Sequence, residues 1–171
     1  MKHFSLNEFN LASEKEAKEA LQFCCGSSVW ANQMTASRPL ASLKELKEKS
    51  SLIWNSLSEA DWKEAFSHHP TIGDLESLKK KFASTKAWAQ QEQKGSVEAS
   101  PSVLQALATL NKTYENRFGF IFIVCATGKT AQEMLELLET RMKNSPHVEL
   151  RNAAKEQEKI THLRLEKMIY E

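Results

Sequence analysis

Apolar residues recur at three- and four-residue steps along most of this chain, which is the spacing of one face of an α-helix. Only five glycines and four prolines interrupt 171 residues. The apolar runs follow helix-start signals, either a capping box or a Ser-Pro pair: Ser13-x-x-Glu16, Ser42-x-x-Glu45, Ser58-x-x-Asp61, Ser100-Pro101, Thr130-x-x-Glu133 and Ser145-Pro146. Gly26 is expected to end the first of these helices in the left-handed conformation. The pattern predicts an all-α fold.

One segment departs from this periodicity. Residues 120–126 form a continuous apolar run rich in aromatic and β-branched side chains, which locally favours extended and buried backbone. No partner strand is evident elsewhere in the sequence. We therefore expect a short extended core segment inside a helical domain.

Composition restricts the class of protein. A chain of 171 residues, 41% of them hydrophobic, suits a single domain over residues 1–171 that needs no metal or disulfide to fold. The formal charge of +1 gives no electropositive field for nucleic acid or an anionic membrane. No secretory leader or membrane span is evident, and three cysteines, two of them adjacent, argue against a disulfide framework. These features predict a soluble cytoplasmic protein.

Two familiar types of binding site, a phosphate-binding loop and a zinc site, fit this sequence poorly. Gly128-Lys129-Thr130 resembles the end of a phosphate-binding loop, but Ile123 stands where that motif requires glycine. Cys24, Cys25, His68 and His69 lack the spacing of a zinc site, and the two cysteines are expected to pack as small apolar residues. The sequence predicts neither a nucleotide site nor a metal.

Three features leave both a structural and a functional interpretation open. Arg164 falls on an inward helical face with Gln157, so it either forms an internal ion pair or recognises an anionic or polar ligand. His69 precedes Pro70 in a loop and is either structural or an acid–base group facing a cleft. The Glu92-Gln93 pair is either a solvated surface pair or part of the same cleft as His69.

Several short motifs follow one another along the chain in a specific order. They are Trp30-Ala31-x-x-Met34-x-x-x-Arg38-Pro39, His69-Pro70-x-Ile72-Gly73-Asp74, Glu92-Gln93, Asn111-x-x-Tyr114-x-x-x-Phe118-Gly119-Phe120, Arg141-x-x-Asn144, Glu149, Ile160 and Arg164-Leu165. Their order and spacing resemble the decarboxylase family that acts on 2-oxo-4-hydroxy-4-carboxy-5-ureidoimidazoline (OHCU). The resemblance covers roughly residues 5 to 168.

This resemblance implies a cofactor-free and metal-free carboxy-lyase of urate breakdown, usually homodimeric, that converts OHCU into (S)-allantoin. It assigns catalytic roles to His69, Glu92 and Arg164, with His69 as the proton donor. The substrate-binding positions that it implies are Pro70, Ala89, Gln93, Phe122, Ile123, Val124, Cys125 and Ala126. Of the two adjacent histidines, only His69 is expected to face the cleft, because neighbours on extended backbone point to opposite sides.

The chain departs from the family pattern at two positions. Ala89 stands where the family commonly has serine, and Ile121 stands where it has proline. The first change removes a hydroxyl that would contact substrate, and the second affects backbone stiffness. The leading alternative function is a non-catalytic helical binding or scaffold protein, and a third is a lyase or hydrolase of another ureido acid.

Overall fold

The computed structural model describes residues 2–69 and 100–170. These residues form eight helices and two very short strands, so the predicted all-α fold is confirmed. The elements in chain order are β1 (Phe4–Ser5), α1 (Leu6–Leu11), α2 (Glu14–Cys24), α3 (Ser28–Ala36), α4 (Leu43–Ser56), α5 (Glu59–Ser67), α6 (Pro101–Phe118), α7 (Ala131–Arg141), α8 (Pro146–Met168) and β2 (Ile169–Tyr170).

The helix starts follow the capping signals in the sequence. At α2, the Ser13 hydroxyl accepts a hydrogen bond from the Glu16 amide, and the Glu16 carboxylate accepts one from the Ser13 amide. The same reciprocal pair starts α5 and α7. Two amides that would otherwise lack a helical partner are satisfied at each start. Local sequence therefore determines where these helices begin.

The end of α2 differs from the prediction. Cys25 caps the helix in an extended conformation, and Gly26 does not have the positive φ of a left-handed stop. A Cβ atom at Gly26 would instead lie 2.5 Å from the Cβ and Cγ atoms of His68. Glycine is required here because the His68 ring occupies the space of a side chain.

The two strands were not expected from the sequence. Phe4 pairs with Ile169 and Ser5 with Tyr170 in a parallel arrangement. Two residues are too few to produce an alternating pattern, and the partners lie at opposite ends of the chain. This pairing joins the chain ends, and the predicted last helix therefore stops at Met168.

Contacts divide the described chain into two compact units. The first contains residues 2–69, 123–125 and 151–170. Its interior is built from fully buried side chains of α2, α3, α5 and α8, including Leu21, Trp30, Met34, Phe66 and Leu165. The indole of Trp54 donates to the Ala154 carbonyl at 3.0 Å, which fixes α4 against α8.

The second unit contains residues 100–122 and 126–150. Helices α6 and α7 pack together through buried side chains that include Leu107 and Leu138. Helix α6 ends at Gly119, whose φ of 75° places it in the left-handed region. The single domain over residues 1–171 stays a prediction.

The segment 120–126 is non-helical, as its composition predicts. Phe120, Phe122 and Ile123 are buried, while residues 121 and 124–126 are half-buried. Phe122 and Ala126 belong to the second unit, and the three residues between them belong to the first. In the described part of the chain, every helix is too short or too polar to cross a membrane.

Candidate active site

His69 follows directly on the C-terminal cap of α5. The cap is His68, and the His69 amide donates to the Phe66 carbonyl at 3.1 Å, which continues the turn. The His69 ring is half-buried, and its Nε2 lies 2.6 Å from Oε1 of Gln157 on α8. This contact orients the ring of the predicted catalytic residue.

The two adjacent histidines have different surroundings. His68 is exposed, and its Nδ1 lies 3.0 Å from the main-chain carbonyl of Glu64, one turn back on its own helix. The sequence predicts extended backbone at this point, but His68 is helical, with φ −83° and ψ −4°. The expected divergence of the two rings therefore arises from the end of a helix.

Behind His69 lies a buried polar network on α8. Gln157 is fully buried, and its Nε2 donates to the Thr161 hydroxyl at 3.2 Å. Thr161 is 2% exposed and donates its own proton to the main-chain carbonyl of Gln157 at 3.0 Å. Buried polar groups are tolerated when they are hydrogen-bonded, and here the side chains satisfy one another.

Arg164 is half-buried and lies against the end of α2. Its Nη1 donates to the main-chain carbonyls of Phe23 at 3.2 Å and Cys24 at 3.3 Å. The last carbonyls of a helix lack helical partners and carry partial negative charge, so a cation is favourable there. Within the described residues, Arg164 thus contacts the end of a helix rather than the carboxylate of an internal ion pair.

Cys24 and Cys25 lie close to this arginine and are both fully buried, as predicted for packing residues. Burial raises the pKa of the Cys24 thiol to about 12 and that of the Cys25 thiol to about 11, although the charge of Arg164 opposes both shifts. Both groups stay protonated at neutral pH, so neither is suited to be a nucleophile.

The extended segment is attached to α8 in the first unit. The amide of Cys125 donates to Oε2 of Glu156 at 2.8 Å, and Oε1 of the same carboxylate lies 2.5 Å from Nζ of Lys159. Since this amide already has an acceptor, a substrate contact at Cys125 would use its carbonyl oxygen or displace Glu156.

Helix α8 therefore connects three of the predicted site features. Glu156 holds the extended segment, Gln157 holds His69, and Arg164 lies two turns further along the face of Gln157. The predicted site residues Pro70, Ala89, Glu92 and Gln93 lie outside the described residues. The roles assigned to all of these positions stay predictions.

A second buried hydrogen-bond network contains other residues of the sequence motifs. The carboxylate of Glu149 is fully buried and accepts hydrogen bonds from Tyr114, Arg141 and Asn144. The Arg141 guanidinium also lies over the Phe122 ring at 4.7 Å. Burial, reinforced by the hydrogen bond to Glu149, raises the pKa of the Tyr114 hydroxyl. These motif residues hold the second unit together.

The sequence does not predict the hydrogen bonds of either network. The sequence places Gln157 on the inward helical face of Arg164 but does not indicate its partner His69, which lies 88 positions away. A buried glutamine on an otherwise apolar helical face was the available signal, because such a side chain needs a partner. No group of three or more potential metal-binding side chains occurs within residues 2–69 and 100–170.

Comparison with known proteins places the chain in a family. The family model described as OHCU decarboxylase matches residues 10–166. The chain is 43% identical over 145 residues to the uric acid degradation bifunctional protein TTL of Arabidopsis thaliana, covering 85% of this chain and 45% of that protein. It is 27% identical to the 2-oxo-4-hydroxy-4-carboxy-5-ureidoimidazoline decarboxylase of Xenopus laevis, covering 81% of this chain and 76% of that one.

The fold has a solved counterpart. The crystal structure of an OHCU decarboxylase in the presence of (S)-allantoin superposes with a TM-score of 0.69 at 41% identity, covering 90% of this chain and 96% of the other. The chain spans 32% to 45% of the length of the bifunctional relatives from Arabidopsis thaliana and Bacillus. Sequence match and fold agree: the chain belongs to the OHCU decarboxylase family.

Proposed function

We propose that this protein decarboxylates OHCU to (S)-allantoin in urate degradation. The observation that carries the proposal is the attachment of His69 to the buried Gln157 side chain, on the helix that also carries Arg164. An acid–base group is thereby held in one orientation on a rigid element, together with a cation that can stabilise an anionic substrate.

The reaction needs an electron acceptor and a directed proton. When the bond between ring carbon and carboxylate breaks and CO2 leaves, the electron pair forms a C=C bond with the neighbouring imine carbon. The C=N electron pair moves to the ring nitrogen, which takes up a proton. A proton then reaches the carbon that bears the ureido group, and the ring hydroxyl becomes a carbonyl as it loses its own proton. The substrate itself supplies the electron sink, which makes a cofactor-free reaction chemically reasonable.

The residues divide this work as follows. His69 delivers the proton to one face of the intermediate, which gives one enantiomer. Arg164 stabilises negative charge on the substrate. Two further roles are assigned from the family resemblance. Glu92 orients His69 or the substrate hydroxyl, and Gln93 binds the ureido group. The remaining substrate contacts are made by Pro70, Ala89 and the segment 122–126. We further propose a cytoplasmic homodimer without a nucleic-acid or membrane partner.

A circular dichroism assay tests the activity. Freshly generated OHCU is mixed with the protein, and we expect rapid growth of the signal of (S)-allantoin, because only enzymatic protonation favours one face. The reaction without protein should give allantoin with no net signal. Ligand affinity without turnover would indicate a non-catalytic binding protein, and turnover of another ureido acid alone would indicate a different lyase or hydrolase.

Arg164→Lys should lower kcat/KM for OHCU by about tenfold or more. Lysine keeps the positive charge and can still reach one carbonyl at the end of α2, but it loses the planar group that donates in two directions. The melting temperature should stay close to that of the wild type. The control is Arg151→Lys, the same change at an exposed position of α8. Wild-type kinetics for Arg164→Lys would remove this residue from the site.

A further inference from the structure

We propose that Gln157 is a positioning residue that holds His69 in the tautomer with hydrogen on Nε2. The inference rests on the proposed function, since it concerns the group assigned to proton transfer. It goes beyond the family resemblance, which assigns no role to Gln157. Its structural basis is the 2.6 Å contact between Nε2 of His69 and Oε1 of the fully buried Gln157 side chain.

The orientation of the Gln157 amide determines which tautomer is held. Thr161 uses its single hydroxyl proton on the Gln157 main-chain carbonyl, so toward the Gln157 side chain it acts as an acceptor. The group that it accepts from is Nε2 of Gln157, at 3.2 Å. The amide oxygen must then face His69. Reversing the amide would place its oxygen against a hydroxyl that has no proton left to donate.

An amide oxygen can only accept hydrogen bonds. His69 Nε2 therefore carries a hydrogen in both the neutral and the protonated ring. Nδ1 is the nitrogen that gains and loses the proton when the ring titrates. The network of Gln157 and Thr161 thus determines which nitrogen serves in proton transfer, as well as the direction of the ring.

The first readout is independent of activity. In a long-range ¹H–¹⁵N spectrum of the neutral ring, the wild-type protein should show His69 as the Nε2–H tautomer. Gln157→Met, which has similar length but no amide, should give a mixture of tautomers. This measurement needs no substrate. It therefore tests the role of Gln157 even if the wild-type protein does not decarboxylate OHCU and the proposed function is wrong.

The second readout is the pH profile of turnover. Gln157→Met should lower kcat by about tenfold to hundredfold with little change in KM, by analogy with the loss of partners that orient metal-binding histidines. Gln157→Glu restores an acceptor and adds negative charge beside the ring, so it should recover part of kcat. It should also move the alkaline limb of the profile to higher pH, because the proton donor is the protonated ring and the added charge stabilises that form.

Thr161→Val provides a variant with a matched control. It removes the hydroxyl that orients the Gln157 amide and should change the His69 tautomer in the same direction as Gln157→Met. Thr35→Val removes the equivalent hydroxyl of another buried helical threonine, which donates to the Ala31 carbonyl at 2.7 Å. That control should leave the tautomer and the pH profile unchanged.

The outcomes separate the alternatives. An Nε2–H tautomer and a wild-type pH profile retained in Gln157→Met would overturn the inference, as would equal effects of Thr161→Val and Thr35→Val. If Gln157→Met does not fold, the comparison of the two threonine variants with Gln157→Glu decides the question. A general loss of stability without a change of tautomer would assign Gln157 a packing role only.

Discussion

His69→Asn is expected to lower the turnover of OHCU by about 10²–10⁴-fold, the usual value of a positioned acid–base group. Asparagine keeps a polar side chain of moderate size near Gln157 but cannot deliver a proton at neutral pH. The melting temperature should change far less than the rate. The allantoin that still forms should lose optical activity, because solvent then supplies the proton from either face.

His68→Asn is the matched control for this variant. The two residues are neighbours, yet His68 is exposed and its ring contacts the Glu64 carbonyl of its own helix. Its replacement should leave turnover and enantiomeric purity near those of the wild type. Rates and circular dichroism of the product, followed in one experiment, check both expectations. A larger loss for His68→Asn, or full enantioselective turnover by His69→Asn, would contradict the mechanism even though the family assignment holds.

The sequence predicts the helices well because their starts are local. A capping box such as Ser13 with Glu16 satisfies amides within four residues, and no distant part of the chain is needed. The extended segment at 120–126 is local in the same sense, since its side-chain composition disfavours an amphipathic helix. Gly26 shows where this reasoning fails: its local pattern resembles a helix stop, but the reason for glycine is the His68 ring, 42 positions away.

The site could be predicted only as separate residues. Sequence spacing places Arg164 and Gln157 on one face of a helix, but it does not show that the face meets His69 or the end of α2. Those contacts depend on tertiary packing across 88 and 141 positions. The family resemblance assigns site roles to His69 and Arg164 and gives none to Glu149, although all three belong to its motifs. The structure places Glu149 in a buried network.

Glu149→Gln is expected to cause the largest loss of stability, about 3–5 kcal/mol. The native carboxylate accepts from Tyr114, from Nε and Nη2 of Arg141 at 2.7 and 2.5 Å, and from Nδ2 of Asn144 at 2.8 Å. An amide has one acceptor oxygen and no charge, so the buried guanidinium of Arg141 loses its counter-ion and at least one donor loses its acceptor.

Urea denaturation of the wild type and Glu149→Gln measures this loss, and the melting temperature should fall by roughly 6–20 °C for a chain of this size. The control is Glu136→Gln, the same chemical change at an exposed position on α7, which should melt near the wild type. Removing the whole pair in Arg141→Met with Glu149→Leu should recover part of the stability, because no buried charge is then left alone. A loss below about 1 kcal/mol in Glu149→Gln would show that Arg141 is stabilised by other contacts, with the Phe122 ring as the first to test.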